Sequence, residues 1–430
     1  MARMRMVVLG LVLALVAGAC GNEASDGGPR AGDGRTGGGG GADVFADLRR
    51  VPEPDPCPGD EPGVADTEIT VGVILPKSGV RATSFAPAEA GIRARVTKAN
   101  DTGELGDRKI RLVIVDDASD AARNAEVARQ LVESEKVFGI IEVSDQADGS
   151  AEYLHDRGVP VTGWHVGRVV WSTFPNMFSF RLTKDRDPAW YTTRNGDVVK
   201  RLGGTKVALV GGGNQSSATF VRQVAAAIRK GRQAEVVYTT TDIPSDQRDF
   251  TAVVQRIKEA GADSLITGMD FLQNTALSDQ LAKAGVDLKV IIFPGGYDPR
   301  VLSIPGVEGA VFGLEFKPFE LDPPAFREFD RWAPADAARN QPTYVGWLAA
   351  ETFVEGLKQA GLRCPTRKAF IANLRLVDDW TAGGAFDPVD WRAGFGQEFQ
   401  CLYYVKIEGG AFRPLFGGEE VCGTRIRVGT

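Results

Sequence analysis

Residues 69–75 read Ile69-Thr70-Val71-Gly72-Val73-Ile74-Leu75, and this stretch decides the fold. Past its start it is apolar on almost every residue, so neither of its faces can be left to water. Such a strand is expected inside a parallel sheet covered by helices on both sides. Working outward, strand and helix alternate. Pro87–Lys98 reads as a helix with Ala88, Ile92 and Val96 at i, i+4 spacing, and Lys109–Val115 as a strand. Ala121–Glu135 reads as a helix with Ala125, Ala128, Leu131 and Val132 on one face, followed by strands Val137–Val143, Val159–Thr162 and Met177–Leu182. The pattern then restarts. Strands Thr205–Val210, Ala234–Tyr238, Asp263–Thr267, Val290–Phe293 and Gly309–Leu314 alternate with helices Ala218–Lys230, Asp249–Ala260 and Gln273–Ala284. Helices Thr343–Gln359 and Thr366–Asn373 and a closing strand pair, Leu402–Ile407 with Ala411–Pro414, complete the chain. Repeated alternation of this kind predicts right-handed crossovers, and two successive sets predict an α/β fold of two doubly wound parallel-sheet lobes.

The chain has 430 residues, 43% of them apolar, with 50 basic and 56 acidic residues and a net charge of −6. That supports two cores of ordinary size. Without a basic block it excludes a nucleic-acid partner, which needs a positive patch. Two histidines, His155 and His165, leave little for histidine catalysis or a metal site. Arg3 and Arg5 precede the apolar run Met6–Ala17 and the small residues Gly18 and Ala19. A basic start, a short apolar core and small residues form a signal peptide (1–19), and the run is too short to span a bilayer. Its loss takes the net charge to −8, because Arg3 and Arg5 go with it. Cys20 then follows Val16-Ala17-Gly18-Ala19, which resembles a bacterial lipobox, so Cys20 is expected to be acylated and to become the mature N-terminus. More than one acyl chain holds a protein stably at a membrane. Residues 20–65, with glycines 37–41 and Pro52, Pro54, Pro56, Pro58 and Pro62, read as a flexible tether. Four cysteines remain, Cys57, Cys364, Cys401 and Cys422, none in a Cys-x-x-Cys pair. An even number in an exported chain predicts two disulfides. Three connectivities exist; Cys364–Cys401 with Cys57–Cys422 is the expectation, the second tying the start of the folded region to its end.

Several segments resemble solute-binding proteins of the leucine/isoleucine/valine-binding type, a periplasmic-binding-protein-like family serving ABC transporters. They are residues 66–79 (Asp66-Thr-Glu-Ile-Thr-Val-Gly-Val-Ile-Leu-Pro-Lys-Ser-Gly79), Val115-Asp-Asp-Ala-Ser-Asp120 with the helix through Val132, Asp249-Phe-Thr-Ala-Val-Val-Gln-Arg-Ile-Lys258 with Asp263, and Gly384-Ala-Phe-Asp387. The resemblance runs from about residue 66 to 425. It implies a type I fold whose lobes comprise residues 66–183 with 317–400, and 184–316 with 401–430. A three-segment hinge would lie near Arg181–Asp185, Gly313–Pro318 and Phe386–Leu402. The lobes would close on a ligand and present the closed form to a membrane permease.

Carried over position by position, the resemblance places a ligand at Ser84 and Phe85 on the first loop and at Ser144, Asp145 and Gln146 on the third. A serine and helix N-terminal amides there suit an anion, which Asp145 would repel if it pointed inward. Trp164 and His165 follow on the fourth loop. Trp164 reads as a ring-stacking residue or as packing between lobes, and His165 as a donor or a packed surface side chain. From the second lobe come Asn214, Gln215, Asp270, Phe271, Tyr297 and Asp298. The acidic residue that holds an amino group in amino-acid binders aligns with Gly295, leaving Asp298 or Asp270 as substitutes. Gly211-Gly-Gly-Asn214 lacks the Lys-Ser/Thr of a phosphate loop. No Gly-x-Ser-x-Gly, His-Glu-x-x-His or Cys–His pattern appears, so no catalytic residue, cofactor or metal is expected. The reading is a monomeric, lipid-anchored, non-enzymatic protein on the outer face of the cytoplasmic membrane. It would capture a small polar or amphipathic ligand (amino-acid-like, an amide, or an aromatic or organic acid) for an ABC importer. The alternative is a ligand-sensing lipoprotein of the same fold that signals to a membrane receptor.

Overall fold

The computed structural model describes residues 45–181, 184–337 and 339–429; the signal peptide, Cys20 and the glycine run lie outside the described residues. In the unit of residues 47–430, β1 (Glu68–Leu75) lies inside a parallel sheet with β2 (Lys109–Asp116), β3 (Gly139–Glu142), β4 (Val161–Gly163) and β5 (Met177–Ser179), in the order β2-β1-β3-β4-β5. The apolar run of β1 feeds two cores at once. Val71, Val73 and Leu75 join one cluster, while Ile74, on the other face, joins Val127, Leu131 and Ile140. Gly72 lies under the 121–134 helical segment, where a Cβ would stand 2.8 Å from Leu131.

After the short β6 (Trp190–Thr192) comes a second sheet of β7 (Lys206–Gly212), β8 (Glu235–Ile243), β9 (Ser264–Gly268), β10 (Val290–Phe293) and β11 (Ala310–Leu314). Its order is β13-β12-β11-β10-β9-β7-β8, parallel from β8 to β11. The antiparallel β12 (Cys401–Glu408) and β13 (Ala411–Pro414) extend it past β11. These strands also alternate between cores: Ala208, Val210, Leu265 and Ile291 on one side, Val207, Leu209, Ile266 and Val290 on the other. β14 (Val421–Cys422) pairs with β12, and β15 (Arg425–Arg427) with β6.

The chain leaves the first sheet after β5, returns after β11, and leaves again before β12. On its return it supplies the Gln341–Ala360 helix, which crosses the Ala88–Thr102 helix at glycine contacts. A Cβ at Gly91 would lie 1.8 Å from the Thr343 carbonyl oxygen, and one at Gly346 2.1 Å from that of Ala88. Most predicted elements are present with ends shifted by a few residues. Sequence periodicity missed the Arg194–Arg201 and Pro324–Trp332 helices. The first carries only Val198 and Val199 as an apolar pair, and the second is short and rich in aromatics.

The disulfides correct the predicted pairing: Cys57 joins Cys364, and Cys401 joins Cys422. The second follows from register, since Cys401 and Cys422 are opposite residues on β12 and β14. The first follows from the end of the proline-rich segment, which is held against the body well before residue 65. The Val51 N–H donates to Asn373 Oδ1 (2.7 Å), Glu53 Oε1 accepts from the Arg363 N–H (2.9 Å) and Glu61 Oε1 from that of Arg367 (2.9 Å). Those bonds set Cys57 beside Cys364, with Cα atoms 5.4 Å apart.

Overpacking a close helix crossing costs about 1–3 kcal/mol. Gly91→Ala and Gly346→Ala are each expected to destabilise by at least that much in urea unfolding, whereas Gly103→Ala, next to open space, loses only what its left-handed backbone imposes.

Candidate functional site

The carboxyl ends of the parallel strands carry the loops that approach between the two sheets. After β1, Asp116 ties the loop to the end of β2. It accepts the N–H of Lys77 (2.8 Å), the Ser78 hydroxyl (2.7 Å) and the N–H of Ala118 (2.8 Å). Burial works against its charge, but these hydrogen bonds outweigh it and hold the carboxyl below its usual range. Ser84 and Phe85 follow on the one-turn helix Ala82–Phe85.

Ser144 is fully buried. Its hydroxyl donates to Asp117 and accepts the Gln146 N–H (3.0 Å). Asn124 Nδ2 bridges Asp117 (3.2 Å) and Glu142 (2.8 Å) beneath. Burial pushes Glu142 up to about 8, with the Asn124 hydrogen bond opposing and the Asp117 charge adding. Asp117 is also raised by burial, against its hydrogen bonds from Ser144 and Asn124. Ser144 is therefore a staple between β2 and β3 in this structure, not a cleft-facing donor. Beside it, Asp145 pairs with Arg81 Nε (3.0 Å) and accepts from the Gln146 amide (2.8 Å).

Arg81 stacks over Phe85 (5.2 Å), whose ring lies 5.8 Å from that of Trp164. Trp164 Nε1 donates to Glu315 Oε2 (2.9 Å), and His165 Nε2 meets Glu315 Oε1 at 3.1 Å. The Gly167 N–H donates to His165 Nδ1 (2.8 Å), so the proton sits on Nε2 and faces Glu315. Glu315 follows β11, on the passage back to the first sheet. Sequence reasoning missed it, because a lone acid after a strand carries no spacing signal. Its backbone carbonyl also accepts from Arg181 (2.9 Å), a buried guanidinium on the first passage.

On the second sheet, Asn214 and Gln215 are exposed, and Asn214 caps the Gln215–Gly231 helix by accepting the Ser217 N–H (2.9 Å). Asp270 caps the Phe271–Lys283 helix in a reciprocal box with Gln273. Asp270, Phe271 and Ser84 line one cavity of about 270 Å³, together with Val80, Thr83, Ser245, Asp246, Arg248 and Leu272, none of which was anticipated. Ser245, Asp246 and Arg248 sit in a polar loop between β8 and the Thr251–Glu259 helix whose composition reads as an ordinary connection.

Tyr297 and Asp298 lie elsewhere. The Tyr297 hydroxyl donates to Glu320 (2.6 Å) and accepts the Phe319 N–H (2.9 Å), and its ring packs on Phe412 (4.7 Å) at a separate cavity of about 440 Å³. Asp298 is buried and paired with Arg300 (2.7 Å) and Asn340 (3.0 Å). Burial opposes its charge, and the Arg300 contacts prevail, holding it below the usual range. This loop holds the start of the Gln341–Ala360 helix, whose Gln341 N–H donates to the Tyr297 carbonyl (2.9 Å). The structure thus gathers Ser84, Asp270 and Phe271 at one cavity. It sets Asp145 and Phe85 against Arg81, with Trp164 beside Phe85, leaves Gln215 exposed, and places the remainder in caps and structural locks. Among the described residues, the clustered metal-ligand atoms of Cys401, Glu420 and Cys422 include two sulfurs that are bonded to each other.

A family model for periplasmic binding proteins matches residues 68–411. The Leu/Ile/Val-binding protein homolog 3 of Brucella melitensis is 26% identical over 302 residues, which are 69% of this chain and 80% of the relative. An amino acid binding protein of Pseudomonas aeruginosa is 23% identical over 60% of this chain and 68% of its own length. Among solved structures, a branched-chain amino acid ABC transporter protein of Thermus thermophilus with bound valine superposes with a TM-score of 0.70 at 16% identity. The match covers 82% of this chain and 96% of that one. A solute-binding protein of R. palustris in complex with benzoate gives 0.66 at 20% identity, over 83% and 97%. These structural likenesses show the fold, that of type I periplasmic binding proteins.

Two predictions concern this site. Glu315→Gln turns an N–H toward Trp164 or His165 and leaves one donor unpaired, which costs about 1–3 kcal/mol. Urea unfolding followed by tryptophan fluorescence is expected to show that loss. Glu142, raised in the folded chain, binds its proton more tightly there than when unfolded. Its contribution is therefore full at pH below the ordinary carboxylate range and is lost as pH rises toward about 8. Glu142→Gln is expected to flatten the fall in stability between pH 5 and 9; an unchanged slope would refute the assignment.

Proposed function

The chain belongs to the periplasmic binding protein family, and on that premise we propose that it is an extracytoplasmic solute-binding lipoprotein that delivers a small amphipathic ligand to an ABC importer. The observation that carries this reading is the 270 Å³ cavity, where the loop after β1 meets the loops after β8 and β9. Clefts between two structural halves are the usual home of small ligands. Val80, Phe271 and Leu272 offer it apolar walls, and Thr83, Ser84, Ser245, Asp246, Arg248 and Asp270 offer polar groups.

In this reading residues 66–183 with 317–400 form one lobe and 184–316 with 401–430 the other, and the three passages between sheets form the hinge. The ligand would close the lobes by contacts that exist only when both sides touch it, so closure follows from differential affinity and not from a separate trigger. Acylated Cys20 and a tether would keep the binding domain beside its permease. Valine, isoleucine and benzoate are held by neighbours of this fold, and they are the first ligands to try.

A ligand at one hundred times its Kd stabilises by about 2.7 kcal/mol, which is a rise of several degrees in Tm. A panel of amino acids, amides and aromatic or organic acids is expected to contain at least one such compound. No shift across the panel, with protein of native circular dichroism, would sink the proposal. Cys20→Ala is expected to move the protein from the membrane fraction to the soluble one.

A further inference from the structure

We propose that Arg248 is the anion anchor of the cleft, and that the solute is a monocarboxylate with an apolar body, bound through the second sheet's loops. This rests on the solute-binding reading and deepens it.

The group expected to hold an anion is not available for it. Ser144 is fully buried, and its single hydroxyl proton is directed into Asp117. An anion brought there would meet the Asp117 carboxylate in place of a donor. The other arginines around the cleft are matched: Arg81 with Asp145, Arg168 with Asp148, and Arg300 with Asp298. Arg248 is the one cation in the cavity lining, and it has no carboxylate partner among the described residues. Its NH1 group donates to the carbonyls of Ser245 (3.1 Å) and Gln247 (2.8 Å). Two backbone acceptors thus hold the guanidinium in place through one nitrogen, and its remaining N–H groups make no bond to a described residue. A planar guanidinium pre-oriented in this way suits a carboxylate, which it can grip with two parallel hydrogen bonds.

The rest of the lining narrows the ligand further. Val80 is 79% exposed and Leu272 46%, and they line the same cavity from opposite sheets beside Phe271. An apolar body would cover both at once. Asp246 and Asp270 share the lining with Arg248. A first negative charge can pair with Arg248, whereas a second would find no cation in the lining and would face the two carboxylates, which disfavours dicarboxylates and phosphates.

The test is isothermal titration of the full-length protein with valine, isoleucine and benzoate, their amides, succinate and inorganic phosphate. The wild type is expected to bind at least one of the three acids about 10- to 100-fold more tightly than its amide, and to bind neither succinate nor phosphate. Arg248→Gln should erase the acid–amide difference, and Arg248→Lys should restore part of it. Arg248 is exposed, so the variants should fold, and matching Tm values would confirm that. An acid that binds Arg248→Gln as tightly as wild type overturns the proposal, as does an amide that binds the wild type as well as its acid. Tighter binding of succinate or phosphate overturns the choice of ligand. No binding by any probe overturns this proposal, and the solute-binding reading then stands or falls on the wider thermal-shift panel; the preceding outcomes leave that reading standing.

Discussion

The contact on which the arrangement depends joins residues more than two hundred positions apart. The Ala88–Thr102 and Gln341–Ala360 helices touch backbone to backbone at Gly91 and Gly346. Only glycine permits that approach, and a side chain on either helix would push the pair apart. The later helix lies nearly buried along its length, and it also reaches β4, where the Thr162 hydroxyl donates to the Ala349 carbonyl (2.9 Å). A first sheet built from residues 68–179 is thus completed by residues that follow the second sheet. The chain must return to deliver them and leave again to supply β12, which is why it passes between the sheets three times.

With the passages fixed, the loops at the strand ends are fixed too, and most of their polar groups are already engaged with one another. Asp116 gathers the loop after β1, Asp117 takes the Ser144 hydroxyl, and Glu315 takes Trp164 and His165. Bonds of this kind rigidify what they hold, because losing one would leave a further buried group unpaired. Side chains outside these networks include Ser84 and Arg248, which line the same cavity as Asp270. Asp270 belongs to both sets, since one of its oxygens caps a helix while its side chain borders the cavity.

The lobes' architecture was legible because burial on both faces leaves a mark in composition. Val71, Val73 and Ile74 had to be apolar whichever way they pointed, and the same holds for Val207 to Val210. The disulfides were legible in number and not in partner. Pairing depends on which strand lies opposite Cys401 and on where the Val51–Glu61 segment runs, and neither is a local property. The site was half legible. Strand ends told which loops approach one another, the resemblance picked Ser84, Asp270 and Phe271 on them, and the structure sets these three around one cavity. What a side chain faces depends on its neighbours across the fold. Ser144 looked available until Asp117 stood behind it, and Arg248 looked like one more loop arginine until its cavity was formed.

Arg181 shows how the three passages are held to one another. It sits on the first, buried, and donates to the Glu315 carbonyl on the second. Its guanidinium lies 5.2 Å from the Phe386 ring and 4.3 Å from that of Phe399, both on the third, and it is paired with Glu420. Burying such a charge is costly unless several partners share it, and here they come from every passage. An apolar residue could fill the volume, but it would accept many relative placements of three strands of chain. A planar cation with directional bonds accepts few. Because the same Glu315 holds Trp164 and His165 through its side chain, a shift of the second passage against Arg181 would be felt at the fourth loop of the first sheet. The passages and the cleft loops therefore share one acidic residue, and movement at either end has a short, bonded route to the other.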